Sequence, residues 1–158
     1  MTPEQLQTLK AAILNETDQA FVALRSAGET GAMAEWFNQP STVVVWRSRV
    51  ARNDVTVDGF DWTQVDNLTT GQARIWDLLF ADGPIDPSEA GKRAGIRECW
   101  KGTAGKVAVG TFVLTQCKRF ATRGEAVFAT GAGTTASPSV SIAGGSISND
   151  DIVQALNA

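Results

Sequence analysis

The stretch TPEQLQTLKAAI, residues 2–13, carries the clearest structural signal in this chain of 158 residues. Thr2 suits the N-cap of a helix, Pro3 suits the first helical position, and Gln5 completes a capping box with Thr2. The apolar residues that follow are three and four positions apart, so they form one stripe along a helix. This stretch therefore predicts an amphipathic α-helix at the start of a mainly α fold.

Similar signals recur along the chain and predict a helical body. Further helices are expected to begin at Thr17 or Asp18, at Thr30, at Thr69 or Thr70, and at Asp86. The wide apolar face over 75–80 predicts a deeply buried helix, and roughly helical apolar spacing continues over 109–128. Residues 42–46 suit an extended segment, although a buried helix start stays an alternative. The predicted core residues are Leu6, Leu9, Trp36, Leu79, Trp100, Phe112 and Phe120.

The C-terminal region has a different composition. No residue from Ala126 to Asn149 is charged. Val140 and Ile142 alternate with serines, which suits a strand or an extended arm, and Ser148 can cap a final short helix. We therefore predict a helical body over 1–130 and an extended, partly β arm over 131–158 that orders against a partner. A flexible linker before a frayed helix is the alternative.

The composition excludes several kinds of enzyme. The chain has no histidine, so a catalytic triad, a Cys-His pair and the zinc sites that use histidine are impossible. Its two cysteines cannot make a four-cysteine site. We expect a protein that is not an enzyme and that binds no metal or cofactor. Cys99 and Cys117 are expected to be buried free thiols, with a disulfide as the alternative.

Two further motifs do not match the binding sites that they resemble. The segment GTAGKV, residues 102–107, resembles a phosphate-binding loop, but Trp100 and Val107 occupy positions that such a loop gives to glycine and to Ser or Thr. A plain loop between helices is the better interpretation. The acidic run Asp82, Asp86 and Glu89 lacks the spacing of a calcium loop, and turns or helix caps explain these carboxylates.

The charge pattern leaves room for an acidic partner. The chain has 14 basic and 17 acidic residues, a net charge of −3, so it is not a nucleic-acid-binding polycation overall. Its apolar stretches are too short to span a membrane, and we expect no signal peptide. Two groups of basic residues remain, namely Arg47, Arg49 and Arg52, and Lys118, Arg119 and Arg123. Each group either lies on a solvated face or contacts an acidic partner surface or passing DNA.

Several stretches together resemble a family of tailed-bacteriophage structural proteins, the head-to-tail adaptors of the neck. The resemblance covers both ends of the chain well and residues 54–105 poorly. The stretches that carry it are Met1–Leu6, Ala11–Leu14, Val45–Val50, Lys118–Gly131, Gly133–Pro138 and Ser148–Val153.

The resemblance implies a small helical bundle, no catalysis, and a place at the head–tail junction of the virion after synthesis in the host cytoplasm. Copies of such a protein form a ring, commonly a dodecamer, beneath the portal protein. A C-terminal arm reaches the portal or a neighbour, and tail or nozzle proteins bind on the other side. The candidate assembly interface comprises Arg47, Arg49, Arg119, Arg123, Val140, Ile142 and Ile147.

The sequence is also compatible with two other functions. One is a different phage structural role, such as tail completion or capsid decoration. The other is a small DNA-binding regulatory protein, which the net negative charge disfavours.

Overall fold

The structure of the chain is a computed structural model that describes residues 1–141 and 145–158. Helices make up 54% of it, so the fold is mainly α, as the sequence predicts. The helices of the described residues are α1 (Pro3–Asn15), α2 (Gln19–Ala27), α3 (Thr30–Phe37), α4 (Arg52–Val55), α5 (Thr70–Leu79), α6 (Ala90–Cys99), α7 (Ala104–Gln116), α8 (Arg123–Val127) and α9 (Asn149–Asn157).

Short strands form two small sheets in the described residues. Strand β1 (Pro40–Trp46) pairs with β2 (Lys118–Thr122). Strand β3 (Ala129–Thr130) pairs antiparallel with β4 (Val140–Ser141), so that residue 129 lies opposite 141 and 130 opposite 140. The extended segment expected near residues 42–46 is therefore confirmed as part of β1.

The chain divides into two compact units. Unit 1 comprises residues 1–45 and 120–158, and unit 2 comprises residues 46–119. The chain leaves unit 1 at the end of β1 and returns to it within β2. Unit 2 is thus an insertion between two stretches of unit 1.

Helix α9 completes the core of unit 1. It packs against α1 and α3, and α2 packs against α3. Each large apolar side chain buried in this way contributes about 1.5–3 kcal/mol relative to an exposed one. The core residues are Leu9, Ile13, Phe21, Met33, Ala34, Phe37, Phe128, Ile147, Ile152 and Ala155.

Side-chain caps set the ends of the unit 1 helices where the sequence predicts them. Thr2 and Gln5 form a capping box at the start of α1. The Asp18 carboxylate accepts the first N–H groups of α2, which ends at Gly28 with a φ of 71°. Ser148 begins α9 with a capping box. Each cap satisfies N–H groups that the helix itself leaves without a partner.

Trp100 is the centre of the unit 2 core. Its ring lies 5.4 Å from the Trp76 ring and 5.8 Å from the Phe60 ring, both edge-to-face. Helix α6 packs against both α5 and α7. A β-carbon at Gly110 would lie only 2.9 Å from the β-carbon of Trp100, so α7 approaches α6 closely at this glycine.

The prediction of continuous helical spacing over 109–128 is wrong. Helix α7 ends at Gln116, and residues 118–122 form β2 instead. Backbone pairing with β1 outweighs local spacing here, since the Ser41 hydroxyl and the Arg47 N–H also donate to carbonyls at 121 and 117. Strand alternation then turns Ala121 inward and leaves Phe120 65% exposed, so its assignment to the core is also wrong.

Helices α5 and α6 differ from expectation in two further ways. Helix α5 is amphipathic rather than deeply buried: Trp76 is buried, Leu79 is half-buried, and Leu78 is 61% exposed. Helix α6 begins at Ala90 rather than beside Asp86, whose carboxylate accepts the N–H of Ser88 in a preceding turn. Burial of the end of α6 is as predicted.

Both cysteines are free and buried, as expected. Desolvation raises the pKa of the Cys99 thiol and of the Cys117 thiol to about 11. Each thiol therefore stays protonated at neutral pH and acts as a small apolar group.

Candidate assembly surfaces

The uncharged segment after β3 is held against unit 1 at its near end. The Val44 N–H donates to the Gly133 carbonyl at 2.8 Å, and the Ser139 N–H donates to the Val44 carbonyl at 2.9 Å. Ser139, 2% exposed, also forms a parallel bridge with Val45. Between these contacts, residues 134–137 are exposed to solvent.

Ile147 anchors the far end of the same segment. The Asn38 side-chain amide donates to the Ile147 carbonyl at 2.8 Å and accepts the Ile147 N–H at 2.8 Å. The Ile147 side chain is 4% exposed in the unit 1 core. A β-carbon at Gly124 would lie 2.6 Å from Ile147 Cγ1, so only glycine leaves room for it. Within one chain, Ile147 therefore acts as an anchor and presents no surface.

The other apolar interface candidates have different places. Val140 lies in β4 opposite Thr130 and is half-buried. The serine before it is the buried member of the alternation, so the apolar side chain is not the inward one. Ile142 lies outside the described residues.

Arg47 has a local structural role in unit 2. Its guanidinium lies 3.2 Å from the Asp54 carboxylate and also donates to the Gln116 carbonyl at 3.2 Å. The same carboxylate accepts the Ala51 N–H at the start of α4. Arg47 thus ties together the ends of α4 and α7. Arg49, two residues further on, is exposed.

Arg119 and Arg123 also differ from each other. Arg119 is exposed in β2. Arg123 begins α8 and lies 4.0 Å above the Trp36 ring, a cation–π contact that buries its Nη1 atom. A cation stacked in this way stabilises the fold by about 0.5–2 kcal/mol and offers less charge to a partner. Of the four arginines proposed for the interface, Arg49 and Arg119 are the exposed ones.

The motifs that resemble catalytic or metal sites have structural explanations. The Lys106 ammonium of the GTAGKV segment is buried and donates to the Gln72 side chain at 3.1 Å and to the Asn67 carbonyl at 3.4 Å. Thr103 caps α7 just before it. In residues 1–141 and 145–158, no three acidic or cysteine side chains come close enough to hold a metal ion.

Three exposed apolar side chains of unit 2 lie within one short stretch that the sequence analysis missed. Trp62, which begins a single 3-10 turn, is 62% exposed. Val57 and Val65 are 40% and 37% exposed in the same short stretch. The sequence does contain a signal, because aspartates alternate with these apolar residues without helical or strand periodicity.

Comparisons with models of protein families, with curated proteins and with solved structures found no match to this chain. Over the described residues, no helix has both the length and the apolar character needed to cross a membrane.

Proposed function

We propose that this chain is a structural protein of a tailed-bacteriophage virion. In this role it is a head-to-tail adaptor, forming a ring beneath the portal protein and joining the capsid to the tail. The resemblance of residues 1–6, 11–14, 45–50, 118–131, 133–138 and 148–153 to such adaptors supports the proposal. The mainly α fold is compatible with the small helical bundle that the resemblance implies.

One observation carries the proposal in physical terms. The segment that joins β3 to α9 has no charged residue, is exposed over 134–137, and is fixed at both ends. A partner that covers such a surface buries no unpaired ion, which would otherwise cost several kcal/mol. Anchored ends also limit the entropy that the segment loses when it binds.

The packing of α9 supports a choice of which part of the predicted arm would reach a partner. Helix α9 belongs to the unit 1 core through Ile152 and Ala155. We therefore propose that α9 stays in place and that the exposed stretch near 131–138 makes the contact with the portal or a neighbouring copy. In this proposal the predicted arm of 131–158 is therefore divided: α9 stays in the unit 1 core, and the exposed stretch before it makes the contact.

The first test is to identify the chain in purified virions. We expect about one copy per portal subunit at the head–tail junction, measured by quantitative mass spectrometry and by labelling for electron microscopy. Many more copies spread over the capsid surface would indicate decoration instead, and absence from the virion would refute the proposal.

The second test places a charge in the segment. Ala136→Glu introduces a carboxylate at an exposed site, and Ala11→Glu is the matched control on the exposed face of α1. We expect Ala136→Glu to reduce binding to the portal protein and the control to bind normally, as measured by cosedimentation of the full chains. Equal binding by both variants would contradict the proposed contact.

A further inference from the structure

Trp62 forms the centre of an apolar knob on unit 2. Its ring packs edge-to-face on Phe60 at 4.8 Å, and Phe60 itself is buried against Trp100. The knob, defined as residues 57–66, is therefore held in place by the core although Trp62 is mostly exposed. Tryptophan is one of the residue types enriched among those that dominate binding at protein interfaces.

The charges of the knob are all negative. Its charged residues are Asp58, Asp61 and Asp66, and all three are exposed. The Thr63 hydroxyl and N–H donate to the Asp61 carboxylate at 2.6 Å and 3.1 Å, and the hydroxyl bond lowers the pKa of Asp61. The knob therefore combines apolar surface with a negative potential at neutral pH.

A groove of about 290 Å³ lies between α6 and α7 of unit 2, and its lining includes no residue of the knob. The close approach at Gly110 leaves it without a side chain at that point. Its volume lies just below the range of about 300–1,000 Å³ that most small-molecule sites have. The groove therefore suits an inserted side chain better than a larger ligand. The lining residues are Arg97, Trp100, Lys101, Val107, Gly110 and Thr111, together with Leu114.

The rim of this groove is positive. Arg97 and Lys101 are both exposed, and Lys101 forms an ion pair with Glu98, so one net positive charge remains along that edge. Apolar lining with a basic rim is the complement of an apolar knob with acidic flanks. Arg97 could also stack on an inserted indole ring, because guanidinium groups favour tryptophan faces.

We propose that the knob of one copy inserts Trp62 into the α6–α7 groove of a second copy. The knob and the groove share no residue, so the contact is head-to-tail and leaves one knob and one groove open at the ends of any short assembly. Such contacts close into rings when the rotation between copies permits. The inference rests on the proposed adaptor ring and names its subunit interface.

Removal of the indole gives the first test. Trp62→Ala should weaken self-association by about 30-fold or more, the equivalent of the about 2 kcal/mol that defines an interface hot spot. Leu78→Ala is the matched control, since Leu78 on α5 of the same unit is equally exposed. Sedimentation velocity of the full chain, alone and with the portal protein, measures assembly in both settings.

Charge exchange gives a test that misfolding cannot imitate. Asp58→Lys with Asp66→Lys makes the knob basic, and Arg97→Glu with Lys101→Glu makes the rim acidic. Each double variant should lose self-association because its knob and rim then repel one another. An equimolar mixture of the two should recover assembly, since each knob then faces a rim of opposite charge.

The outcomes separate this inference from the proposed function. Normal rings from Trp62→Ala, or no recovery in the mixture, would overturn the knob-in-groove contact and leave the adaptor role standing. Loss of portal binding with intact self-association would assign the knob to the portal and would also overturn the contact. A wild-type chain that stays monomeric both alone and with the portal would refute both.

Discussion

Asn38→Ala removes the two hydrogen bonds that hold the backbone of Ile147. In the wild-type chain the Asn38 amide accepts the Ile147 N–H and donates to the Ile147 carbonyl, each at 2.8 Å. Alanine offers neither group, so the peptide N–H and C=O of Ile147 lose these partners at a partly buried position. The start of α9 and the end of the uncharged segment are both fixed at this point.

The expected loss of stability is about 2 kcal/mol, within a range of about 1–3 kcal/mol. Two neutral hydrogen bonds contribute about 1 kcal/mol each, and incomplete resolvation of the freed backbone groups adds to the cost. Against a urea slope of about 2 kcal/mol per molar, the unfolding midpoint of unit 1 should fall by about 1 M.

Urea unfolding followed by circular dichroism measures the effect, and amide hydrogen exchange locates it. Exchange should accelerate most at Ile147 and in the first turn of α9. Asn157→Ala is the control, because its exposed side chain makes only a local bond to the Val153 carbonyl at 2.8 Å. A change below about 0.5 kcal/mol for Asn38→Ala, or an equal change for the control, would refute this account of the anchor.

Three other substitutions test the packing and the buried thiols. Gly124→Ala should destabilise the chain by about 1–3 kcal/mol, because the new β-carbon would lie 2.6 Å from Ile147. Gly31→Ala should stabilise the chain by up to about 1 kcal/mol, because Gly31 lies in a helix with open space around it. Thermal unfolding measures both changes. Burial raises the thiol pKa of Cys99 and Cys117 from 9.0 to about 11, so the folded chain retains protons that the unfolded chain releases in this window. The contribution of the protonated thiols to the free energy of unfolding should be complete below pH 9 and should fall between pH 9 and pH 11. Cys99→Ala should reduce the slope of that fall. A free energy of unfolding that does not change over this range would contradict the burial of the thiols.

Local signals predicted most helix starts because caps act within four residues. Thr2 and Ser148 cap the helices predicted to begin there, and Asp18 and Thr69 are the caps among the two candidates that the sequence offered for each helix. Such a cap competes with few alternatives, since its hydrogen bonds close within the same turn. Most helices of both units could therefore be predicted from the sequence without knowledge of how they pack.

Long-range pairing explains where the prediction failed. Residues 118–122 have helical apolar spacing, yet β1 supplies backbone partners that lie about 80 positions away in the chain. The knob around Trp62 was missed for a related reason. The exposure of Trp62 becomes clear only from the fold, in which Phe60 is buried in the core and holds the Trp62 indole at the surface.

The insertion of unit 2 within unit 1 has a consequence for the order of folding. The contacts within unit 2 link residues of one continuous stretch, 46–119, whereas α1 must wait for α9, on the far side of that stretch. Loop-closure entropy slows contacts of such long range. During synthesis, unit 2 can therefore collapse as soon as it has left the ribosome, while α1 and α3 keep the apolar faces that pack against α9 exposed until α9 emerges. For that interval these two helices present unpaired apolar faces of the kind that chaperones bind.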